Sequence, residues 1–299
     1  MEKPTDVHNQ TMRGEESPIP NAAYVERVGT PPGIQMHPTA LIAERLASRG
    51  LRQGAPSRLG FHLLLGVRAD TLECAVDFVD YTISIGEWLW IRPRQVHQYR
   101  CDLAGTTGTA ILFANGFISP ATAGLVRLDD PLRQPLWSPS SGTNRSVETL
   151  VDALRAEYAA VSGERITAHV ATLRHILSAL LLTISATGAV SDQPSNRVFD
   201  AFCKAVEARF TQTRKVADYA DLLGFSTRTL TRAAIAATGH GPKNYIDDRV
   251  LLEAKRLLAH TDSSSGAVAR LLGFSTPSDF SRFFQLRTGT TPAQFRSIT

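Results

Sequence analysis

Six consecutive residues, Leu222-Leu223-Gly224-Phe225-Ser226-Thr227, return 49 residues later as Leu271-Leu272-Gly273-Phe274-Ser275-Thr276. A repeat of this kind restricts the C-terminal third of the chain to two copies of one supersecondary unit. Each copy separates two short helical patterns: Val216 to Leu223 and Thr227 to Thr238 in the first, Gly266 to Leu272 and Pro277 to Thr288 in the second. Two helices joined by a tight turn containing Gly make a helix-turn-helix, whose second helix can enter a DNA major groove.

The residue types fit that unit position by position. Gly224 and Gly273 stand where a helix must stop and the backbone needs a positive φ. Ser226 is an N-cap for the helix that follows, and Thr276-Pro277-Ser278-Asp279 offers a cap hydroxyl, Pro at the first helical position and an acid in the first turn. Leu230 in the first copy and Phe280, Phe283 and Phe284 in the second form the apolar stripe. The opposite faces carry Thr227, Arg228, Thr231 and Arg232 in the first copy, and Thr276, Ser278, Ser281 and Arg282 in the second. These side chains are of the types that reach base edges and phosphates. A lone Leu-Leu-Gly before Ser is an ordinary helix stop and start. Two copies in register, followed by Gly239-His240-Gly241-Pro242 and by Gly289-Thr290-Thr291-Pro292, are not.

The pattern Gly273-Phe274, Ser278, Phe280, Arg282, Phe284, Gly289, Pro292, Phe295 and Arg296 resembles the second half of the DNA-binding domain of the AraC/XylS family of transcription regulators. The resemblance covers the last hundred residues. Two positions depart from it: Ala234, where an aromatic residue is usual, and Asp279, which puts an acid near the DNA. Asp279 either accepts from a cytosine amino group or holds Arg282.

Charge supports the same half. Residues 198–299 hold 14 Lys and Arg against 9 Asp and Glu, whereas the remainder is balanced, 18 against 19. An excess of this size also occurs in proteins that never touch nucleic acid, so it is supporting evidence alone. Three widely spaced cysteines, Cys74, Cys101 and Cys203, form no Cys-x-x-Cys pair and fit a reducing cytoplasm. Met1 to Pro20 lacks the basic and then apolar order of a signal peptide, and Ile176 to Val190 is too short and too polar to span a bilayer.

From Leu59 to Phe113, short apolar and aromatic runs separated by Gly, Asp or Pro read as strands: Gly60 to Val67, Thr71 to Val79, Tyr81 to Ile85, Trp88 to Ile91, Val96 to Cys101 and Thr109 to Phe113. Close-spaced strands predict a small antiparallel barrel or sandwich. Their order, with Pro93-Arg94-Gln95-Val96-His97 where relatives carry Pro-Gly-Gln-Val-His, is similar to the cupin-like sensor domain of many AraC-family proteins. Either the turn at Arg94 differs, or the left-handed glycine is not required. The resemblance puts His97 and Tyr99 near a ligand pocket, and His62 and Trp88 join them as candidate effector contacts. The competing reading makes Trp88 and Trp90 packing residues and His97 a structural histidine.

Two amphipathic helices are expected at Ser146 to Val161 and Glu164 to Thr187, after a helix at Ala40 to Ser48 and a loop containing Pro131, Pro135 and Pro139. Helices Val198 to Phe210 and Pro242 to His260 complete the C-terminal part. The fold class is α+β in two domains: an N-terminal cupin-like β-barrel with packed helices, and an all-α C-terminal domain with two helix-turn-helix motifs. The boundaries are a flexible arm at 1–35, a sensing and dimerisation domain at 36–190, a linker at 191–197 and a DNA-binding domain at 198–299.

The function implied is a DNA-binding transcriptional regulator, a cytoplasmic homodimer under a small-molecule effector. RNA polymerase is its partner if it activates. No cofactor, catalytic residue, metal ligand or membrane contact is expected. Two alternatives stand beside it, a cupin-type metal enzyme fused to a DNA-binding domain and a ligand-independent DNA binder. The first needs several convergent His or carboxylate ligands, and the sequence offers only the isolated His62 and His97.

Overall fold

Period-two patterning through the first half and period-3.6 patterning through the second become two structurally distinct halves in the computed structural model, which describes residues 19–26, 29–48, 50, 52–128, 134–161, 165–185 and 197–298. The N-terminal half contains β1 (Asn21–Ala22), β2 (Ile34–Pro38), α1 (Leu41–Ala47), β3 (Ser57–Leu59), β4 (His62–Ala69) and β5 (Leu72–Val76). It continues with β6 (Val79–Ile83), β7 (Trp88–Ile91), β8 (Val96–Tyr99), β9 (Thr107–Phe113), α2 (Pro120–Leu125), β10 (Leu136–Trp137), α3 (Ser141–Ala159) and α4 (Ile166–Ser185).

The strands form two five-stranded sheets, ordered β1-β3-β8-β5-β6 and β10-β7-β4-β9-β2. They face each other as a sandwich and do not close into a barrel. All pairs are antiparallel except β1 with β3. Because β4 is covered on both faces, its alternation sorts two cores. Leu63, Leu65 and Val67 join Leu59, Leu89, Ile91 and Tyr99 between the sheets. Leu64 joins Trp88, Trp90, Ile111 and Phe113 on the other face, under the helices.

Several expected bounds move. Thr71 to Val79 is broken by a turn at Asp77 and Phe78, both at positive φ. Of the expected arm, residues 1–18 lie outside the described residues, but β1 and the start of β2 fall within 19–35, where Ile19 and Ile34 are fully buried. The first expected helix of the pair begins at Ser141 rather than Ser146, since Ser140 precedes the helix in extended conformation. Ser141 to Asn144 are weak helix formers, so their residue types do not announce that turn. Helix α4 begins ten residues before the Ile176 run. At 20 residues and a mean hydropathy of 1.3 it is long and apolar enough to cross a membrane by length and composition. Its Leu173, Leu177, Leu180, Leu181 and Ile184 are buried in the core shared with α3 and the sheet. The linker at 191–196 lies outside the described residues.

The C-terminal half is all helix: α5 (Arg197–Arg209), α6 (Val216–Leu223), α7 (Thr227–Thr238), α8 (Pro242–His260), α9 (Ser265–Leu271), α10 (Pro277–Thr288) and α11 (Pro292–Ile298). Its single core runs from Phe199 and Phe202 through Tyr219, Leu230 and Ile246 to Phe280 and Phe284. Ala234 is fully buried in that core, which also holds the packed rings of Phe199, Phe202 and Tyr245. Helix α8 packs against α5, α7, α9, α10 and α11, so both repeats hang on one strut of about 28 Å.

Candidate nucleic-acid interface and sensor cavity

Both repeats fold as helix, left-handed glycine, cap and second helix. Gly224 ends α6 at φ 69°, and Ser226 caps α7 by accepting from the Thr229 backbone N–H at 3.1 Å. In the second copy Gly273 is at φ 70°, and Thr276 accepts from the Asp279 N–H at 3.1 Å while donating to the Asp279 carboxylate at 2.8 Å. That reciprocal cap is what Asp279 does in this structure. Pro277 occupies the first turn of α10, where its missing N–H has no partner to lose.

The expected groove-facing residues divide by what their side chains already do. Arg228, Arg232, Ser278 and Arg282 are exposed and make no hydrogen bond or ion pair among the described residues. Thr227 is exposed as well, and Ser281 is half-buried. The Thr231 hydroxyl donates to the Thr227 carbonyl at 2.8 Å, and Thr276 is the cap. Helix α10 is fixed to the strut by Arg287, which donates to Asp248 at 2.7 Å and to Asp247 at 3.0 Å. Not all the basic excess faces outward. Arg249 and Arg256 are fully buried, and Arg214 lies 3.7 Å from the centre of the Phe274 ring.

The four candidate effector contacts do not form one site. His97 and Tyr99 lie together on β8, rings 5.3 Å apart, and line a cavity of about 40 Å³ between the sheets, walled by Leu59, Phe61 and Leu63 and covered by Ile42 and Leu46 of α1. His97 Nδ1 and the Tyr99 hydroxyl are buried there without a hydrogen-bond partner among the described residues. Burial, only partly offset by a backbone hydrogen bond at Ser57 and by Asp77, pushes His97 down to about 4, so it is neutral near pH 7. Burial also raises the Tyr99 phenol well above its ordinary range.

His62 and Trp88 point to the opposite face of the other sheet. His62 stacks on Phe113 at 4.7 Å and meets Trp90 edge-on, and burial followed by the Arg92 charge drives it down to about 3. Trp88 floors a separate cleft of about 380 Å³ between that sheet and α3, lined by Arg68, Thr109, Asn144 and Asp152. Strand alternation within β7 is correct; what the sequence could not supply is which face of the sheet looks at the cavity. His62 and His97 therefore do not converge, and among the described residues no three His, Cys, Asp or Glu side chains gather in a metal-ligating group.

A feature missed from sequence links the two halves. Arg256 of α8 donates from Nε and Nη2 to the two Asp77 oxygens, both at 2.7 Å. Arg58 of β3 donates to Glu253 at 2.6 Å, and Glu253 also accepts from Arg249 at 3.2 Å and Arg256 at 3.1 Å. Burial would raise the Glu253 carboxyl, but Arg249, Arg256 and Arg58 outweigh it and hold it at about 2. Arg94 donates to the Glu207 carbonyl at 2.8 Å, Glu207 pairs with Arg249, and Phe78 stacks on His260 at 5.4 Å. The only available signal was non-glycine residues at turn positions.

A helix-turn-helix domain model matches residues 219–298, which takes in both repeats. The HTH-type transcriptional activator RhaS of Enterobacter sp. is 25% identical over 222 residues, covering 72% of this chain and 78% of RhaS. With the second-repeat motif and the cap geometry above, these matches support an AraC/XylS-type transcription regulator carrying a helix-turn-helix DNA-binding domain. The HTH-type transcriptional regulator RipA of Corynebacterium glutamicum is 31% identical over 102 residues, covering 34% of this chain and only 30% of RipA. The crystal structure of the DNA-binding domain of AdpA with a target DNA covers 34% of the chain and 90% of that domain, at 29% identity and a TM-score of 0.31.

Proposed function

We infer that the chain is a sequence-specific DNA-binding regulator of transcription whose C-terminal domain, 198–299, reads two successive major-groove segments and whose N-terminal domain, 36–190, responds to a small effector. The carrying observation is the pair of capped second helices on one strut, with Arg228, Arg232, Ser278 and Arg282 exposed and uncommitted. Arginine in that position reads guanine edges or grips phosphate. Thr227, Thr231, Thr276 and Ser281 flank them, Thr276 chiefly by setting the helix.

The effector contacts are His97 and Tyr99, in the cavity of a cupin-like sandwich. Two buried polar groups without hydrogen-bond partners among the described residues, inside largely apolar walls, suit a mostly apolar molecule with a polar function, which the cavity of about 40 Å³ must enlarge to admit. His62 and Trp88 remain outside that site. The working form is a cytoplasmic homodimer on operator DNA, engaging RNA polymerase if it activates. Footprinting of genomic fragments, followed by a reporter assay with His97→Phe and Tyr99→Phe, tests the reading. Loss of induction with unchanged operator binding is expected, and loss of both would make the two residues structural.

A further inference from the structure

The two repeats are alike in sequence but not in surroundings. Nothing among the described residues lies within 4 Å of a Cβ built on Gly224, whereas one built on Gly273 would fall 2.0 Å from the Thr211 carbonyl oxygen. Both glycines follow a helix at positive φ, so that requirement is common to the two, and the close approach of two backbones is peculiar to Gly273. Thr211 belongs to the α5–α6 loop, residues 210–215, which leads into the first repeat. The turn of the second repeat is therefore seated on the entrance to the first.

Arg214, in the same loop, closes over this seat. Its Nη1 donates towards the Leu272 and Gly273 carbonyl oxygens, each at 3.4 Å, and its guanidinium lies 3.7 Å from the centre of the Phe274 ring. Phe274 in turn packs on Phe280 and Phe283 of α10, with ring centres 5.3 and 5.2 Å away. Partial burial lowers the Arg214 pKa, and the charges of Asp247 on α8 and Asp279 on α10 oppose that shift. The loop itself is fixed. Tyr219 of α6 donates to the Thr213 carbonyl at 3.0 Å, the Gln212 N–H donates to the Arg209 carbonyl at 2.8 Å, and the Arg249 guanidinium of α8 lies 4.0 Å from the centre of the Phe210 ring.

A single strut fixes the separation of two motifs better than their rotation about its axis. A second contact away from that axis removes the rotation. Duplex DNA makes such rotation matter, because one base pair added between two half-sites turns the second by about 34–36° and moves it by about 3.4 Å. A reader held at two points cannot follow both changes.

We propose that Arg214 is a positioning residue: by clasping the second turn while Gly273 abuts Thr211, it sets the angle between α7 and α10 and so the one half-site spacing that the chain accepts. This rests on the reading that both repeats enter the major groove, and it assigns Arg214 no contact with DNA. The test uses duplexes selected from a randomised library by the full chain. The selected site is remade with one base pair inserted or removed between the two adjacent segments that one protomer protects, and fluorescence anisotropy at fixed salt gives the ratio of the affinities.

The parent should prefer the selected spacing by about tenfold or more, the size of one lost bidentate base contact. Arg214→Gln should reduce that preference several-fold, weakening the selected site while hardly changing the altered ones. Arg214→Lys, which keeps a cation over Phe274 but loses the flat fork, should fall between. Lys215→Gln, which removes the same charge from the exposed neighbouring residue, should leave the preference at its parent value. Gly273→Ala, which pushes the Thr211 carbonyl away from the other side, supplies the second variant where R214Q does not fold and should relax the preference in the same way. An unchanged preference in R214Q overturns the clasp and makes α8 sufficient. Equal weakening at every spacing also overturns it, leaving Arg214 a phosphate contact or a stability residue. A parent that protects one segment only, with no spacing preference, overturns the two-segment reading and the clasp with it.

Discussion

The two repeat glycines make a matched experiment. Gly224 and Gly273 share the same hexapeptide and the same φ, 69° and 70°, yet a Cβ built on Gly224 meets nothing within 4 Å. On Gly273 it would lie 2.0 Å from the Thr211 carbonyl oxygen and 3.1 Å from its carbon. Alanine at either position incurs the left-handed penalty of about 1 kcal/mol, reduced equally at both by the stiffer unfolded chain. At Gly273 the α5–α6 loop backbone must also move, and overpacking of this kind adds about 1–3 kcal/mol. For a domain of this size about 1 kcal/mol corresponds to about 4–8 °C in Tm. Gly224→Ala should thus lower the helical transition by about 5 °C and Gly273→Ala by about 15 °C. Far-UV ellipticity follows this transition, while emission from Trp88, Trp90 and Trp137, all in the N-terminal half, provides the internal control. Equal losses at the two positions would refute the reasoning, because sequence and φ do not distinguish them.

Arg232→Ala and Arg282→Ala should each weaken operator binding by about 1–3 kcal/mol at matched salt with no change in melting; normal affinity in either variant refutes the placement. A fragment from Arg197 to Thr299 should fold and bind DNA, since Glu253 keeps Arg249 and Arg256 when Arg58 and Asp77 are removed; an unfolded fragment in circular dichroism would show that the domains are not separable. The stability of the N-terminal half should fall on acidification. His62 and His97 are held at about 3 and about 4 when folded, so the unfolded chain takes up more protons as pH drops below the ordinary histidine value. About 2 kcal/mol is lost by pH 5 for each histidine, and His97→Gln should flatten the Trp-monitored melting curve against pH. A flat profile in the parent protein would contradict the burial of both.

The helical half was legible because its signals are local. Gly at a helix stop, Ser or Thr at the next cap and Pro at the first turn each act within four residues, and α7, α8 and α10 keep the bounds their patterns predict. The sandwich was legible as strands but not as faces. The pattern HLLLGV in β4 is buried on both sides, so alternation could not say that Leu63 looks into the cavity and His62 under the helices. Strands β1, β3 and β10 are two or three residues long and owe their existence to partners far away in sequence. The charge count says little about the DNA-facing surface for a related reason. Arg249 and Arg256 sit on the buried side of α8, and composition does not separate a cation facing phosphate from one facing Glu253.

Left-handed backbone is used in two opposite ways along this chain. In the repeats it falls on Gly224, Gly239, Gly273 and Gly289, where the absence of a side chain ends a helix at no steric cost. At the domain junction it falls on Asp77, Phe78, Arg94 and Arg127, where glycine would relieve strain but remove the contact. Replacing the hairpin tip by Asn-Gly should therefore stabilise the sensor by itself while loosening its hold on α8. Asp77, Phe78 and Arg94 thus trade backbone ease for contacts with Arg256, His260 and Glu207, and desolvation of the charged groups offsets much of their attraction, so these contacts favour one arrangement more than they add stability.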